Sequence, residues 1–389
     1  MTSVSFFNII RQTKHLEKKI GKERFAETGK DSFFGDYLYD QIVPQEHFLR
    51  KLKEIIPWER FTKRLIGLYK GGGRYGRPPF DPALVLKMEM IAYLYNLSER
   101  QVEAYVNDNL SAKYFVGLAV DQKAPDHSTL TKFRNRMLAR GKLKVFEEML
   151  AEIVRAGMES GVEFGSIQIV DSVHTVANVN IRKDESKQKK GKGPRDPNAK
   201  WGVKHTRKVK DEHGKTKEQR EYFYGYKAHV SLNAESGMIT NVDVTPGNAY
   251  DGHKLPELIN RDLELGVPVE TVAADRGYDD GSNHYFLQSK DLHSAIRLNA
   301  YRTQKKDENK EIWLQLQSTP EYQQGLKERY KVERKFGEGK QGHGLGRCRY
   351  VGRMAYAIQI LLTAMVLNLK RMVKVLTDTN FKGRATVSA

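Results

Sequence analysis

The chain has 389 residues, with 66 Lys and Arg against 48 Asp and Glu, a formal net charge of +18 and a single cysteine, Cys348. That length can bury a substantial core and suits two domains, while the charge points to a polyanionic partner, because neutralised phosphates release their counterions. One cysteine excludes an internal disulfide framework and any cysteine-based zinc site, and it fits a reducing cytoplasm.

The first residues lack an apolar run followed by a small-residue cleavage site, so no secretory signal is expected. Residues 1–160 read as a helical region, with Phe48, Leu52, Ile55 and Ile56, then Phe61, Leu65, Ile66 and Leu68, at helical spacing on either side of Pro57. Gly71 to Pro82 breaks the pattern, and Lys70, Arg74 and Arg77 give it cationic reach. It has no GKS or GKT ending and no preceding strand, which argues against a nucleotide-binding P-loop. Helical spacing resumes with Leu84, Leu86, Met88, Ile91 and Leu94, and Ser98 with Gln101 forms a capping-box pattern. A further helix is predicted after Asp126 or Ser128, packed through Leu130, Phe133 and Met137, with Lys132, Arg134 and Arg136 on an outer basic face that DNA contact or plain solvation explains equally well.

The period changes after Gly161. Ile167, Ile169 and Val170 lead to Asp171 and then to Val173, Thr175 and Val176, a strand interrupted by a carboxylate that is costly there unless paired, hydrogen-bonded or metal-bound. Residues 182–220 hold 15 Lys and Arg against 6 Asp and Glu, half of the net charge, with no apolar periodicity. This segment is expected to be a flexible basic arm, in which Lys189, Lys190, Lys192, Lys204, Arg207 and Lys208 contact DNA and Trp201 either stacks on a base or pins the arm to the body. Two strands joined by NAESG form a predicted hairpin, followed by a helix near 255–265, a strand ending at Asp275, a helix near 282–288 and a strand at 293–299. Asp279 and Asp280 are better placed than Asp275 to cap the next helix, leaving Asp275 at a carboxyl strand end, where open α/β sheets bind ligands.

Further on, Glu333 lies in a long basic helical pattern with Arg329 at i−4 and Lys340 at i+7, all on one face. A solvated charged helix with an Arg329–Glu333 pair is one reading, and a site for metal and phosphate is the other. The most apolar segment, Met354 to Leu369, is interrupted by Gln359, Thr363 and Asn368 and falls short of the roughly 20 apolar residues of a membrane span, so it predicts a buried helix and no membrane partner. Its basic end carries Lys370, Arg371 and Lys374. His174, His229 and His253 lack HxxxH or HExxH spacing, so a zinc site is not expected.

Asp171, Asp275 and Glu333, spread over two strands and a late helix, resemble the catalytic core of insertion-sequence DDE transposases. The Glu motif of that family, Tyr-x2-Arg-x3-Glu-x6-Lys, is matched by Arg329, Glu333 and Lys340, while Leu326 stands at the Tyr position. VDSVHTVANV, GYKAH, TPGNAYDGHKL and ADRGYDD agree with it, as does GRPPFDPALVLKMEMIAYLYNLSERQVE in the helical region, so that the resemblance covers about residues 45–370. It implies an α/β, ribonuclease-H-like mixed five-stranded sheet flanked by helices over residues 161–377, preceded by a helical DNA-binding or dimerisation region and followed by a flexible tail at 378–389. It also implies two Mg²⁺ ions, with Mn²⁺ as a substitute, held by Asp171 between them and by Asp275 and Glu333 one each. Hard cations favour such carboxylate oxygens. Arg329 and Lys340 would hold phosphates. The implied partners are double-stranded DNA, both terminal inverted repeats and target, and a second copy of the chain in a paired-end complex in the nucleoid-bearing cytoplasm. Glu338, preceded by Arg334 at the same spacing, is the rival to Glu333. A metal-dependent nuclease without strand transfer and a domesticated DNA-binding protein are the alternative functions.

Overall fold

The computed structural model describes residues 25–26, 33–66, 69, 78–139, 143–210, 216–304 and 308–381. The glycine- and arginine-containing stretch at 70–77 lies outside them. Contacts divide the chain into two compact units, one of Met1–Ala92, Leu97–Ala139 and Lys382–Ala389, the other of Tyr93–Asn96 and Arg140–Phe381.

Helices α1 (Phe33–Ile42), α2 (Phe48–Ile55), α3 (Trp58–Ile66), α4 (Pro82–Leu94), α5 (Glu99–Asp108), α6 (Leu110–Val116) and α7 (His127–Ala139) carry the first unit. Ser98 and Gln101 form the capping box at the start of α5, and Asp126 accepts from the Ser128 backbone N–H at 2.7 Å to start α7. Leu130, Phe133 and Met137 pack inward as the helical spacing requires. Arg134, expected on the outer face, is instead buried against the Glu99 carboxylate, because an inward guanidinium needs a counter-charge. Arg136 lies 4.0 Å over the Tyr69 ring, and Lys132 alone of the three is exposed.

In the second unit, helix α8 (Leu143–Glu159) precedes β1 (Ile167–Val176). The expected boundary at residue 160 put α8 with the helical region, yet its apolar residues pack onto the sheet and a long C-terminal helix. After β1 come α9 (Ile181–Gln188), β2 (Lys200–Lys210), β3 (Thr216–Asn233), β4 (Ile239–Pro246), α10 (Leu255–Leu265), β5 (Thr271–Ala274), α11 (Gly281–Ser289) and β6 (His293–Ile296). Then follow α12 (Lys310–Ser318), α13 (Pro320–Glu328), α14 (Tyr330–Gly342) and α15 (Arg353–Thr377).

The sheet is mixed. β1 runs antiparallel to β3 and parallel to β5, β6 is parallel to β5, and β4 is antiparallel to β3, giving the five-stranded order β4-β3-β1-β5-β6. β2 adds a sixth strand, on β3. Strand alternation puts Val170 on the face packed by Leu255, Leu258 and Ile259 of α10. Val173 lies on the other face with Phe336 of α14 and Ile360 and Leu367 of α15. Ile358, Leu361, Leu362, Met365, Val366 and Leu369 of α15 are all buried, as the apolar run predicts. No helix among the described residues is long and apolar enough to cross a membrane.

Residues 182–220 differ from the flexible arm expected of them. They fold into α9 and the β2–β3 ribbon, anchored at the base by two buried aspartates. Asp196 accepts from the Tyr226 hydroxyl at 2.6 Å and the Gly352 backbone N–H at 3.1 Å. Asp184 accepts from the Arg195 N–H at 2.9 Å.

Asp262 on α10 ties the sheet to its helix layer. Its buried carboxyl accepts from Gln168 Nε2 at 3.0 Å, Ser231 Oγ at 2.5 Å and Asn241 Nδ2 at 2.5 Å. Burial outweighs those donors and pushes it up to about 6. Asp262→Ala strands three donors and is expected to lower the unfolding free energy by about 2–4 kcal/mol in urea titration. A carboxyl raised in the folded state contributes its stability in full below the ordinary 3.8 and loses it as pH rises through about 6. The gap between the wild type and the alanine variant therefore narrows towards neutral pH.

Candidate active site

The parallel register pairs Val170 with Ala274, so Asp171 and Asp275 are the next residues on adjacent strands. Asp171 remains within β1, whereas Asp275 follows the last residue of β5. Asp275 has a local duty the sequence reading did not assign: its Oδ1 accepts from the Gly277 N–H at 2.8 Å, capping a short 3-10 turn. That bond aims the carboxyl as well as ending the strand. Asp280 caps α11 as expected, through Ser282 N at 2.9 Å. Asp279 instead accepts from Asn299 N and Arg302 Nε, each at 2.6 Å, inside the core.

The third carboxylate arrives on a helix seated by a glycine. A Cβ on Gly325 of α13 would collide with the Ala295 side chain of β6, so only glycine lets the helix lie this close to the sheet. The basic pattern read as one long helix is divided at Arg329, between α13 and α14. Arg329 turns towards the sheet, where its Nη2 lies 3.5 Å from Asp171 Oδ2. The pair formed is thus Arg329–Asp171 rather than Arg329–Glu333. Glu333 is exposed in the first turn of α14.

Asp171 registers this assembly. Burial is the largest influence raising its carboxyl, the Asp275 charge adds to it and Glu333 adds less, while the Ser172 N–H and Arg329 oppose them, leaving it pushed up to about 7. The negative charge at Asp171 is therefore without full compensation. Among the described residues Asp171, Asp275 and Glu333 do not bring three ligand atoms within 4.8 Å of one another; what they share is carboxylate oxygen, the donor a hard divalent cation takes. Glu338 has a different environment. Its carboxylate lies 3.3 Å from Lys335 Nζ and 2.7 Å from Lys370 Nζ, and although burial works against it, those cations hold it below its ordinary range.

Residues without an assigned role also surround Asp171. Asp251 accepts from Ser172 Oγ at 3.0 Å and pairs with Lys227 at 2.8 Å, while Lys227 also donates to the Ala249 carbonyl at 3.0 Å. Tyr278 is fully buried, and that burial together with the Asp171, Asp251 and Asp275 charges puts its phenol well above the ordinary range. GYKAH and TPGNAYDGHKL carry Lys227 and Asp251, so the signal was present in the sequence without a function attached to it.

The DNA-contact candidates are divided by the structure. Lys189, Lys190 and Lys192 are exposed at and after the end of α9. Lys204 is exposed on β2 and pairs with Glu221 at 2.6 Å. Trp201 is 50% exposed with its ring 5.5 Å from Tyr224. Arg207 and Lys208 lie on β2, with side chains outside the described set. Lys340 is exposed, and burial of its stem with repulsion from Lys204 lowers its ammonium, so the two cations face common ground. At the end of α15, Lys370 holds Glu338, Arg371 Nε donates to the Ser236 carbonyl at 2.7 Å and Lys374 pairs with Asp378 at 2.5 Å. In the first unit, Glu103, Asp126 and His127 bring three ligand atoms within 4.8 Å of one another. Their hydrogen bonds to the start of α7 account for that cluster.

Comparison with known families decides the assignment. A model described as "Transposase DDE domain" matches residues 166–369, more than half of the chain. This chain belongs to the DDE transposase family. A second model, "Transposase domain (DUF772)", matches residues 37–136 of the transposase. Among solved structures, a "Mos1 transposase paired-end complex with left transposon end" aligns at 11% identity over 75% of this chain and 87% of that one, with a TM-score of 0.20. The transposase is accordingly an enzyme that cleaves DNA and transfers strands, in a family that uses divalent metal ions.

Glu338→Ala separates the two glutamates. It is expected to cost about 1–3 kcal/mol in urea unfolding, by stranding Lys335 and taking the carboxylate from Lys370. Divalent-ion binding, followed by calorimetry, should stay within about twofold of wild type, a difference of about 0.4 kcal/mol.

Proposed function

We propose that Asp171, Asp275 and Glu333 are the metal-binding carboxylates of this transposase, and that they serve cleavage at the ends of a DNA element and transfer of the freed 3′-hydroxyls into target DNA. The observation that carries the reading is the parallel register that sets Asp171 beside Asp275 at the end of β5, with Arg329 reaching Asp171 from the helix junction next to Glu333; the raised Asp171 carboxyl agrees with it. Mg²⁺ suits this donor set, since it accepts a few carboxylates and keeps waters in its remaining positions. Bound there, divalent ions would activate the attacking hydroxyl and stabilise the leaving oxygen.

The protein's own groups have separable duties. Asp275, fixed by the Gly277 N–H, and Asp171, fixed by the Ser172 N–H at 2.7 Å, present carboxyls already restrained by backbone donors. Arg329 partly offsets the Asp171 charge, and its planar fork suits a phosphate once a cation has replaced it at that carboxylate. Lys340, further along α14, supplies a point charge for the DNA backbone. Two copies of the chain acting on two ends complete the reading.

Asp171→Ala, Asp275→Ala and Glu333→Ala are each expected to reduce Mg²⁺-dependent cleavage of end-containing DNA by more than the roughly 10–100-fold typical of losing an outer partner. Binding of the same DNA should change little in a gel-shift titration. Full cleavage by any one variant removes that residue from the site. With a target plasmid present, joined product supports strand transfer, and cut ends alone support a nuclease.

A further inference from the structure

We propose that the β2–β3 ribbon lies in the major groove of duplex DNA and positions it beside the carboxylates, an inference that rests on the transposase reading and extends it to a second DNA-contacting element. The register separates this element from the catalytic sheet. β1 begins to pair with β3 at Gly225 and β4 begins at Tyr226, whereas β2 pairs with β3 from Thr216 to Gly225. Thr216 to Tyr222 therefore has one neighbouring strand only, and at the usual rise those seven residues span about 23 Å, before Phe223 packs on His174 of β1 and the Tyr224 carbonyl accepts from the Ala177 N–H at 2.9 Å. Isolated two-stranded ribbons are marginal in water, because neither face is covered. Glu218, Gln219, Arg220, Glu221 and Tyr222, consecutive on β3, are all exposed, so alternation hides neither face.

Charge and shape commit the ribbon to a polyanion of groove width. Lys200–Lys210 holds five Lys and Arg and no Asp or Glu. The major groove admits a two-stranded ribbon. Val203 and Tyr222, a register pair, are 43% and 56% exposed, and with Trp201 they give the basic ribbon an apolar contact surface of the kind that meets base edges and thymine methyls. The register slips between Val203 and His205, and such a bulge increases the local twist. Lys204 sits at that slip and shares its surroundings with Lys340 of α14, so positive potential continues from the ribbon base to the helix of Glu333. Lysines on an edge strand also discourage strand-to-strand association, and that plainer role predicts no effect on DNA.

The test replaces residues 206–220 by Asn-Gly, which closes the registered His205–Glu221 pair with a two-residue turn. A second variant, Lys200→Gln with Lys204→Gln, leaves the backbone intact. With a mixed-sequence duplex of about 20 base pairs, two helical turns, the excised protein should bind at least about tenfold more weakly near physiological salt. The slope of log K against log salt should fall by about two or more. The glutamine pair should lower the slope by up to about two, its two charges' worth. Methyl green, which occupies the major groove, should displace the wild type but not change the residual binding of the excised protein. Unchanged affinity and slope in both variants overturns the proposal, as does displacement by the minor-groove ligand distamycin alone. Loss of cleavage by the carboxylate variants alongside unchanged binding by the ribbon variants would overturn only the ribbon. A wild type that neither binds nor cuts DNA would overturn the underlying reading first.

Discussion

Two carboxylates on adjacent parallel strands, one of them largely buried, set the central electrostatic constraint of this protein. Register places Asp171 beside Asp275, and burial magnifies their repulsion. Holding both there requires restraint from elsewhere. The Ser172 and Gly277 N–H groups fix the carboxyls locally, and Arg329 reaches across from the junction of two helices. That reach depends on α13 lying flat on the sheet, which depends on Gly325. The helices therefore do more than cover a sheet edge; they bring charge to it.

Asp171, which we propose for the metal site, differs in its surroundings from the carboxylates that serve the fold. Asp262, Asp279 and Glu338 each face a set of donors or cations suited to one arrangement. Asp171 faces two like charges and one cation at 3.5 Å, a balance that favours an incoming positive charge. Proximity alone would mislead, since Glu103, Asp126 and His127 are closely gathered yet occupied with starting a helix.

Much of this was legible in sequence because strand and helix periods record which faces are buried. The alternation around Asp171, the β3–β4 hairpin and the apolar C-terminal helix all follow from that record. Asp171 and Asp275 stood out as carboxylates at places where local structure explained them poorly, whereas a solvated charged helix accounted for Glu333 and only the family motif singled it out. The β2–β3 ribbon was not legible, since a ribbon without a covered face leaves no apolar period to read. Its base is fixed by Asp196, whose partners include Tyr226 and Gly352, far away along the chain. Arg134 was misplaced for a related reason: the Glu99 that draws it inward lies on another helix. Arg329 likewise meets Asp171 158 residues away.

Strand β3 is continuous from Thr216 to Asn233, and its inner half places Val230 opposite Asp171. The outer half forms the ribbon, so handle and hearth share one backbone. Asp196 ties the root of the ribbon to the body through Tyr226 and Gly352. Under the ribbon proposal, a load on the ribbon would pass along one continuous strand to the residue opposite Asp171.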